Sequence, residues 1–251
     1  MRVLLTNDDG IEADGLQALR RALLDVDGLE LAVIAPDGNR SAVGRGITTR
    51  RPLWVEEVDF GDGTVGYATD GTPVDCVRFA ALGLIDGFAA ELIVSGINHG
   101  SNLGDDITYS GTVAAALEGV ILGLPAVAVS QQSTAREMDF RLGERFDFET
   151  AAAFTARMVE EIEGVDVARL GKRIYRDELV LQDEQSRRRQ YRIYGDAPEY
   201  ERQDGTDLAA VAEGRVAVTP IHFDLTDEPG IETLRAYDLA RLLEPAQREI
   251  E

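Results

Sequence analysis

The chain has 251 residues, of which 25 are Lys or Arg and 46 are Asp or Glu, giving a formal charge of −21 at pH 7. At about 100–200 residues per domain this length suits one large domain, or one domain with an appendage. A composition of 44% hydrophobic and 28% charged residues is that of a globular protein and excludes a disordered chain.

The charge excludes duplex DNA or RNA bound as a polyanion and disfavours an anionic membrane surface. The longest apolar runs, such as residues 120–130, are too short to span a bilayer and are interrupted by Gly and Pro. Residues 1–7 run directly into acidic residues, without the basic start, apolar middle and small-residue cleavage site of a signal peptide, so a cytoplasmic location is expected. Cys76 is the single cysteine, which leaves no internal disulfide, and no Cys/His cluster suggests structural zinc. Lys172 is the only lysine and the acidic residues are dispersed (Glu56, Glu57, Asp59, Asp62; Glu160, Glu161, Glu163). That pattern fits a halophilic protein, in which high salt screens self-repulsion.

Along the chain, Val3, Leu4 and Leu5 form a short apolar strand, followed by Asn7-Asp8-Asp9-Gly10 and a helical spacing through Leu16, Leu19, Ala22 and Leu23. A second buried strand is predicted over 31–35, closed by Pro36-Asp37-Gly38-Asn39. Asp70-Gly71 precedes a helix with Thr72 as N-cap and Pro73 at its first position. Cys76 on that helix reads as packing rather than as a nucleophile. Leu92-Ile93-Val94 is a further strand, followed by a Gly/Asn-rich loop, a helix over 112–122, a strand over 126–129 and a helix over 148–162. Continuous apolar strands alternating with helices predict an α/β fold, a mostly parallel sheet covered on both faces, with ligands at the carboxyl ends of the strands.

Past residue 170 the character changes. The stretch 172–194 is rich in Arg and Tyr and predicts a hairpin or extended arm, 215–220 predicts a strand, and 231–243 a terminal amphipathic helix. The division expected is therefore a core over 1–170 and a C-terminal region over 171–251, with no internal repeat.

Three segments carry candidate chemistry. Asp8 and Asp9 are adjacent carboxylates at a strand end, which repel unless a cation or proton lies between them; the competing reading is that one caps the helix and the other faces solvent. Asn39-Arg40-Ser41 ends the second strand, where Ser41 offers a hydroxyl ligand and Arg40 a positive charge. The segment from Val94 to Ala116 starts at a strand end and finishes as a small-residue helix. Within it Ser110-Gly111-Thr112 places free amide N–H groups and two hydroxyls at a helix N-terminus, a phosphate site in the making. This loop has neither dinucleotide-type glycine spacing nor a Walker-type Gly-Lys-Ser/Thr. Asn98 and Asn102 are both open as further ligands, His99 is a candidate substrate contact, and His222 reads as structural. With so little histidine and cysteine, carboxylate, amide and hydroxyl oxygens suit Mg²⁺ or Mn²⁺.

Together these segments resemble the SurE family of metal-dependent nucleoside monophosphate phosphatases. The matches are Asn7-Asp8-Asp9-Gly10, Ala35-Pro36-Asp37 with Asn39-Arg40-Ser41, Gly71-Thr72-Pro73-Val74-Asp75-Cys76-Val77, and residues 94–119 almost throughout. Gly205-Thr206-Asp207 and residues 209–225 look like the family's terminal signature. The resemblance implies a Rossmann-like core and one divalent cation per subunit, held by Asp8, Asp9, Ser41 and Asn98. It also implies an arm and C-terminal helix exchanged within a homodimer or homotetramer. The activity implied is hydrolysis of nucleoside 5′- or 3′-monophosphates, with short polyphosphate as a secondary substrate.

On this reading Asp8, Asp9 and Asn98 are catalytic, with Asp8 as the group that orients or deprotonates water, and Asn98, Ser110, Gly111 and Thr112 bind phosphate. A phosphoaspartate route is disfavoured because no Asp-x-Asp spacing follows the first strand. The alternative function is a non-catalytic nucleotide-binding module using the same crevice. The chain departs from the family pattern twice. Ala42 follows Ser41 where a glycine is usual, and the strand usually found after residue 163 is shortened or missing.

Overall fold

The computed structural model describes residues 1–135, 145–160, 173–174, 180–185, 188–192, 199–201, 203–214 and 216–221. Its centre is a six-stranded sheet of β1 (Arg2–Thr6), β2 (Glu30–Pro36), β3 (Val55–Asp59), β4 (Val65–Thr69), β5 (Leu92–His99) and β6 (Ala126–Gln131), in the order β3-β4-β2-β1-β5-β6. All neighbours are parallel except β3, which pairs antiparallel with β4 at the edge. The mostly parallel α/β architecture expected from the sequence is therefore present.

The strands are apolar on both sides because both sides are covered. Val3, Leu5, Val33 and Val94 point to one face, where they meet Leu16, Leu19 and Leu23 of α1 (Asp14–Leu24) and Ala152, Ala156 and Val159 of α4 (Glu149–Glu160). Leu4, Ala32, Ile34 and Ile93 point to the other, against Cys76, Val77 and Ala80 of α2 (Pro73–Ala81) and Ala115 of α3 (Gly111–Ile121). Each leucine of the α1 stripe is fully buried, a contribution of about 1.5–3 kcal/mol apiece. Cys76 is likewise buried, and desolvation pushes its thiol far above the usual range, which fits packing and not nucleophilic chemistry.

The start of α2 is fixed by a capping box: Thr72 accepts from the Asp75 main-chain N–H while Asp75 accepts from that of Thr72, with Pro73 at the first turn. The same two side chains hold the preceding loop, Thr72 donating to Gly46 O (2.8 Å) and Asp75 accepting from Thr48 N (3.1 Å).

Further on, β8 (Val180–Gln185) and β9 (Arg188–Arg192) pair antiparallel, the hairpin expected there, and β7 (Arg173–Ile174) pairs with β10 (Glu199–Tyr200). A short helix, α5 (Asp207–Ala212), follows. In place of the strand expected over 215–220, the described residues 216–220 show only an isolated bridge at Val218. Its alternating valines carry strand propensity, but propensity makes a strand only where a neighbouring edge pairs with it. The segment after residue 163 and the helix expected over 231–243 lie outside the described residues. Met1–Pro220 forms one unit and Ile221–Glu251 a second, of which only Ile221 is described. No helix among the described residues is long and apolar enough to cross a membrane.

Candidate active site

The chain leaves β1 for β2 on one side and returns through β5 on the other, so the crevice between the carboxyl ends of β1 and β5 is the switch point of the sheet, the usual place for a ligand. Asp8 and Asp9 stand at its centre.

Their turn is built by Asn7. Its amide donates to Gly10 O at 2.9 Å and accepts from Gly10 N at 3.2 Å. Gly10 has φ +114°, and a Cβ there would lie 3.0 Å from the Cα of Gly38, so the loops after β1 and β2 touch backbone to backbone. Arg40 N then donates to Asp8 O at 2.6 Å, clamping the second loop onto the first.

Asp8 is 3% exposed. Its Oδ1 accepts from Thr112 Oγ1 at 2.5 Å. Burial pushes this carboxyl above its usual range; the Thr112 hydrogen bond opposes that and the Asp9 charge adds to it. A Cβ on Gly111 would sit 2.8 Å from both Cβ and Oδ2 of Asp8, so Oδ2 lies directly against the first residue of α3, where only glycine leaves room. Asp9 Oδ1 accepts from Asn39 Nδ2 (3.1 Å), and its Oδ2 accepts from the main-chain N–H of His99 (2.9 Å).

Asn98 is oriented by its own amide: Nδ2 donates to Gly100 O at 2.7 Å, which turns Oδ1 toward Thr112, 3.4 Å away. Ser110 caps α3 by accepting from Val113 N at 3.1 Å, leaving its hydroxyl proton and the N–H groups of Gly111 and Thr112 without intrahelical partners. Ser41 is tied in through Asn39, whose Oδ1 accepts from Ser41 N at 2.8 Å; its own side chain is exposed.

The structure thus brings Asp8, Asp9, Asn98, Ser110, Gly111 and Thr112 to one crevice, with Ser41 at its rim. Arg40 differs from expectation. Its guanidinium pairs with Asp37 at 2.5 Å and with the carbonyls of Gly38 and Asn39, so its charge is spent within its own loop. His99 turns back onto Asp9 rather than outward. Asn7, Asn39 and Asp207 are supports that the sequence reading did not single out. Asp207, at the start of α5, accepts from Gly104 N at 2.7 Å and so braces the loop that leads to α3. The asparagines beside glycine were a visible turn signal; nothing in the sequence pairs residue 207 with residue 104.

The donor chemistry fits a hard divalent cation. Among the described residues no group of three or more His, Cys, Asp or Glu converges, so a cation here would take two carboxylates and complete its shell with neutral oxygens. Asn98 Oδ1 is aimed appropriately, and the raised Asp8 carboxyl is a group whose ionised form needs a positive partner.

Comparison with known proteins gives the chain its relatives. The family model described as "Survival protein SurE" matches residues 3–186. A 5′-nucleotidase SurE of Rubrobacter xylanophilus is 49% identical over 97% of this chain and 99% of its own length, and one of Chloroflexus aggregans is 41% identical over 95% and 99%. The crystal structure of a SurE protein from Aquifex aeolicus superposes with a TM-score of 0.73 at 35% identity, covering 94% of this chain and 99% of that one. Coverage of nearly the whole length on both sides leaves one assignment: this chain belongs to the SurE family.

Proposed function

We propose that this chain is a nucleotide phosphomonoesterase that hydrolyses nucleoside 5′-monophosphates, and 3′-monophosphates as well, to nucleoside and phosphate. The observation that carries this reading is the meeting of one carboxylate of the acidic pair with the N-terminus of α3: Asp8 Oδ2 against Gly111, and Asp8 Oδ1 on the Thr112 hydroxyl. One end of the crevice suits a cation and the other a phosphate. The curated SurE relatives are named 5′-nucleotidases, which gives the substrate class.

Asp8, Asp9, Asn98 through Oδ1 and Ser41 through its hydroxyl would hold one Mg²⁺ or Mn²⁺. Bound there, such an ion neutralises phosphate charge and acidifies water. The N–H of Gly111 and the hydroxyl of Ser110 receive phosphate oxygens, beside Thr112, whose main chain also bonds the Asp8 carboxylate, and they stabilise the charge that builds as the ester bond breaks. They do so with little rearrangement, because Ser110 is already fixed as the helix cap. The Asp8 carboxylate, whose Oδ1 takes the Thr112 hydroxyl, takes a proton from the attacking water. That proton passes on from Asp8 through solvent to the leaving nucleoside oxygen, which departs as the hydroxyl and returns Asp8 to its ionised form.

The reading extends to the rest of the molecule. Residues 171–251 form the region that exchanges arm and helix within a homodimer or homotetramer, the protein works in the cytoplasm, and its dispersed −21 charge suits high salt.

The test is phosphate release from a panel of nucleoside monophosphates with Mg²⁺, Mn²⁺ or EDTA, at low and multimolar salt. Release that EDTA abolishes supports the reading, and a requirement for high salt supports the halophilic part of it. Nucleotide binding without release, by folded protein under every condition, overturns it in favour of a non-catalytic binding module.

A further inference from the structure

The two oxygens of Asp9 face different partners. Oδ1 takes one hydrogen bond, from Asn39 Nδ2. Oδ2 is gripped twice by one residue, by the main-chain N–H of His99 at 2.9 Å and by its ring Nδ1 at 3.1 Å. The ring contact donates to Oδ2 in the tautomer that carries hydrogen on Nδ1.

His99 is held in turn. Its ring stands edge-on, at 71°, to both Phe146 and Phe148, with centroids 5.2 and 4.7 Å away. Those two rings are stacked parallel, 5.4 Å apart and 2° from coplanar orientation. The Asp9 side chain is 6% exposed and that of His99 21%. An aromatic pair from the segment before α4 thus reaches across to the last residue of β5 and, through it, to a carboxylate of the loop after β1.

We propose that His99 is a positioning residue for Asp9. The Phe146–Phe148 pair fixes the imidazole, and Nδ1–H and the main-chain N–H together fix Oδ2, so that Asp9 presents one orientation to a divalent cation. This rests on the reading of Asp8 and Asp9 as a cation site. A carboxylate already held in one rotamer loses no rotamer freedom when it binds. Partners that orient a ligating group in this way typically carry about 10–100-fold in metal affinity.

The experiment is the Mn²⁺ dissociation constant, read from the electron paramagnetic resonance signal of free Mn²⁺, for the full chain and its H99A, H99N and H99F variants. Circular dichroism melting establishes that each is folded. Asn places an N–H where Nδ1 stood, whereas Phe fills the aromatic contact and donates nothing. The expected result is Mn²⁺ binding weakened about 10–100-fold in H99A and H99F and largely restored in H99N. Restoration by Phe and not by Asn assigns His99 to packing alone and overturns the proposal, as does equal affinity in all four proteins. A wild-type chain that binds no Mn²⁺ removes the cation site itself, a failure distinct from wild-type binding that His99 does not influence. Should H99A not fold, the Asn and Phe pair decides.

Discussion

Thr112 Oγ1 donates to Asp8 Oδ1 across 2.5 Å of space and 104 residues of chain. The bond joins the end of the first strand to the first turn of α3, so one contact sets the distance between the carboxylate pair and the amides that face phosphate. It also partly offsets what burial does to Asp8, since a hydrogen bond to the ionised form favours that form.

Asp8→Asn is expected to abolish turnover while raising the melting temperature of the cation-free protein at neutral pH. The sign follows from the raised carboxyl. The folded state disfavours the Asp8 anion, so its ionisation withdraws stability as pH rises through the folded value, and a neutral amide escapes that loss. Phosphate release and melting in EDTA check both halves. Near-normal turnover sinks the role of Asp8, and a lower melting temperature sinks the electrostatic account.

Gly111→Ala puts a methyl group 2.8 Å from Asp8 Oδ2. Either the carboxylate or the helix start must move, and a displacement of that size at reacting groups costs about a hundredfold in kcat/KM. Steady-state kinetics on a nucleoside monophosphate would measure it. Activity within a few-fold of wild type means the two groups do not act together.

Ala42 sits at φ +60°, the left-handed region that costs an L-residue about 1–2 kcal/mol. Ala42→Gly removes that cost but adds unfolded-state freedom of about 0.5–1 kcal/mol, so stability is expected to hold or rise by up to about 1.5 kcal/mol. Ala42→Val, stiff at Cβ, is expected to lose about 1 kcal/mol or more. Urea unfolding of the pair gives the comparison; equal stabilities for Gly and Val would show that the backbone is not held there.

Away from the crevice, the buried Arg20 pairs with Asp62 at 2.7 Å, bonds Thr64 at 2.7 Å and lies 4.2 Å from the Phe60 ring centroid, fastening the β3–β4 hairpin to α1. The hydrogen bond from Arg20 holds the Asp62 carboxyl well below its ordinary value of 3.8. A depressed carboxyl contributes stability above its unfolded value and loses it as pH falls toward the folded one. Asp62→Asn is therefore expected to melt lower than wild type at pH 7, with the gap narrowing as pH drops below about 3.8. Paired melting curves from pH 7 to pH 3 would settle it, and a constant gap would argue against the ion pair.

Much of this was legible in the residues. Apolar runs at β1, β2, β5 and β6 and the stripe Leu16, Leu19 and Leu23 state a parallel sheet and its covering helix, because buried strands and amphipathic helices have no other economical reading. Thr72-Pro73 states its own helix start. The hairpin of β3 and β4 was not legible. β3 reads Val-Glu-Glu-Val-Asp, an exposed acidic edge whose alternation is too weak to separate from a loop. Asp8, Asp9 and the Ser110–Thr112 turn were visible as local chemistry, whereas the supports were not. Asn39 on Asp9, His99 on Asp9 and Asp207 on Gly104 are contacts between segments 30, 90 and 103 residues apart, which no local pattern encodes.

The central place of β1 has a consequence for the order of events in folding. Its partners are residues 30–33 on one side and 92–95 on the other, and the Thr112 hydroxyl arrives later still. A chain emerging from the ribosome therefore carries its acidic pair long before it carries the groups that complete the crevice. Non-local pairing of this kind closes late. Cation loading would then report a finished fold, and a bound ion, by favouring only the native state, would act as the latch on it.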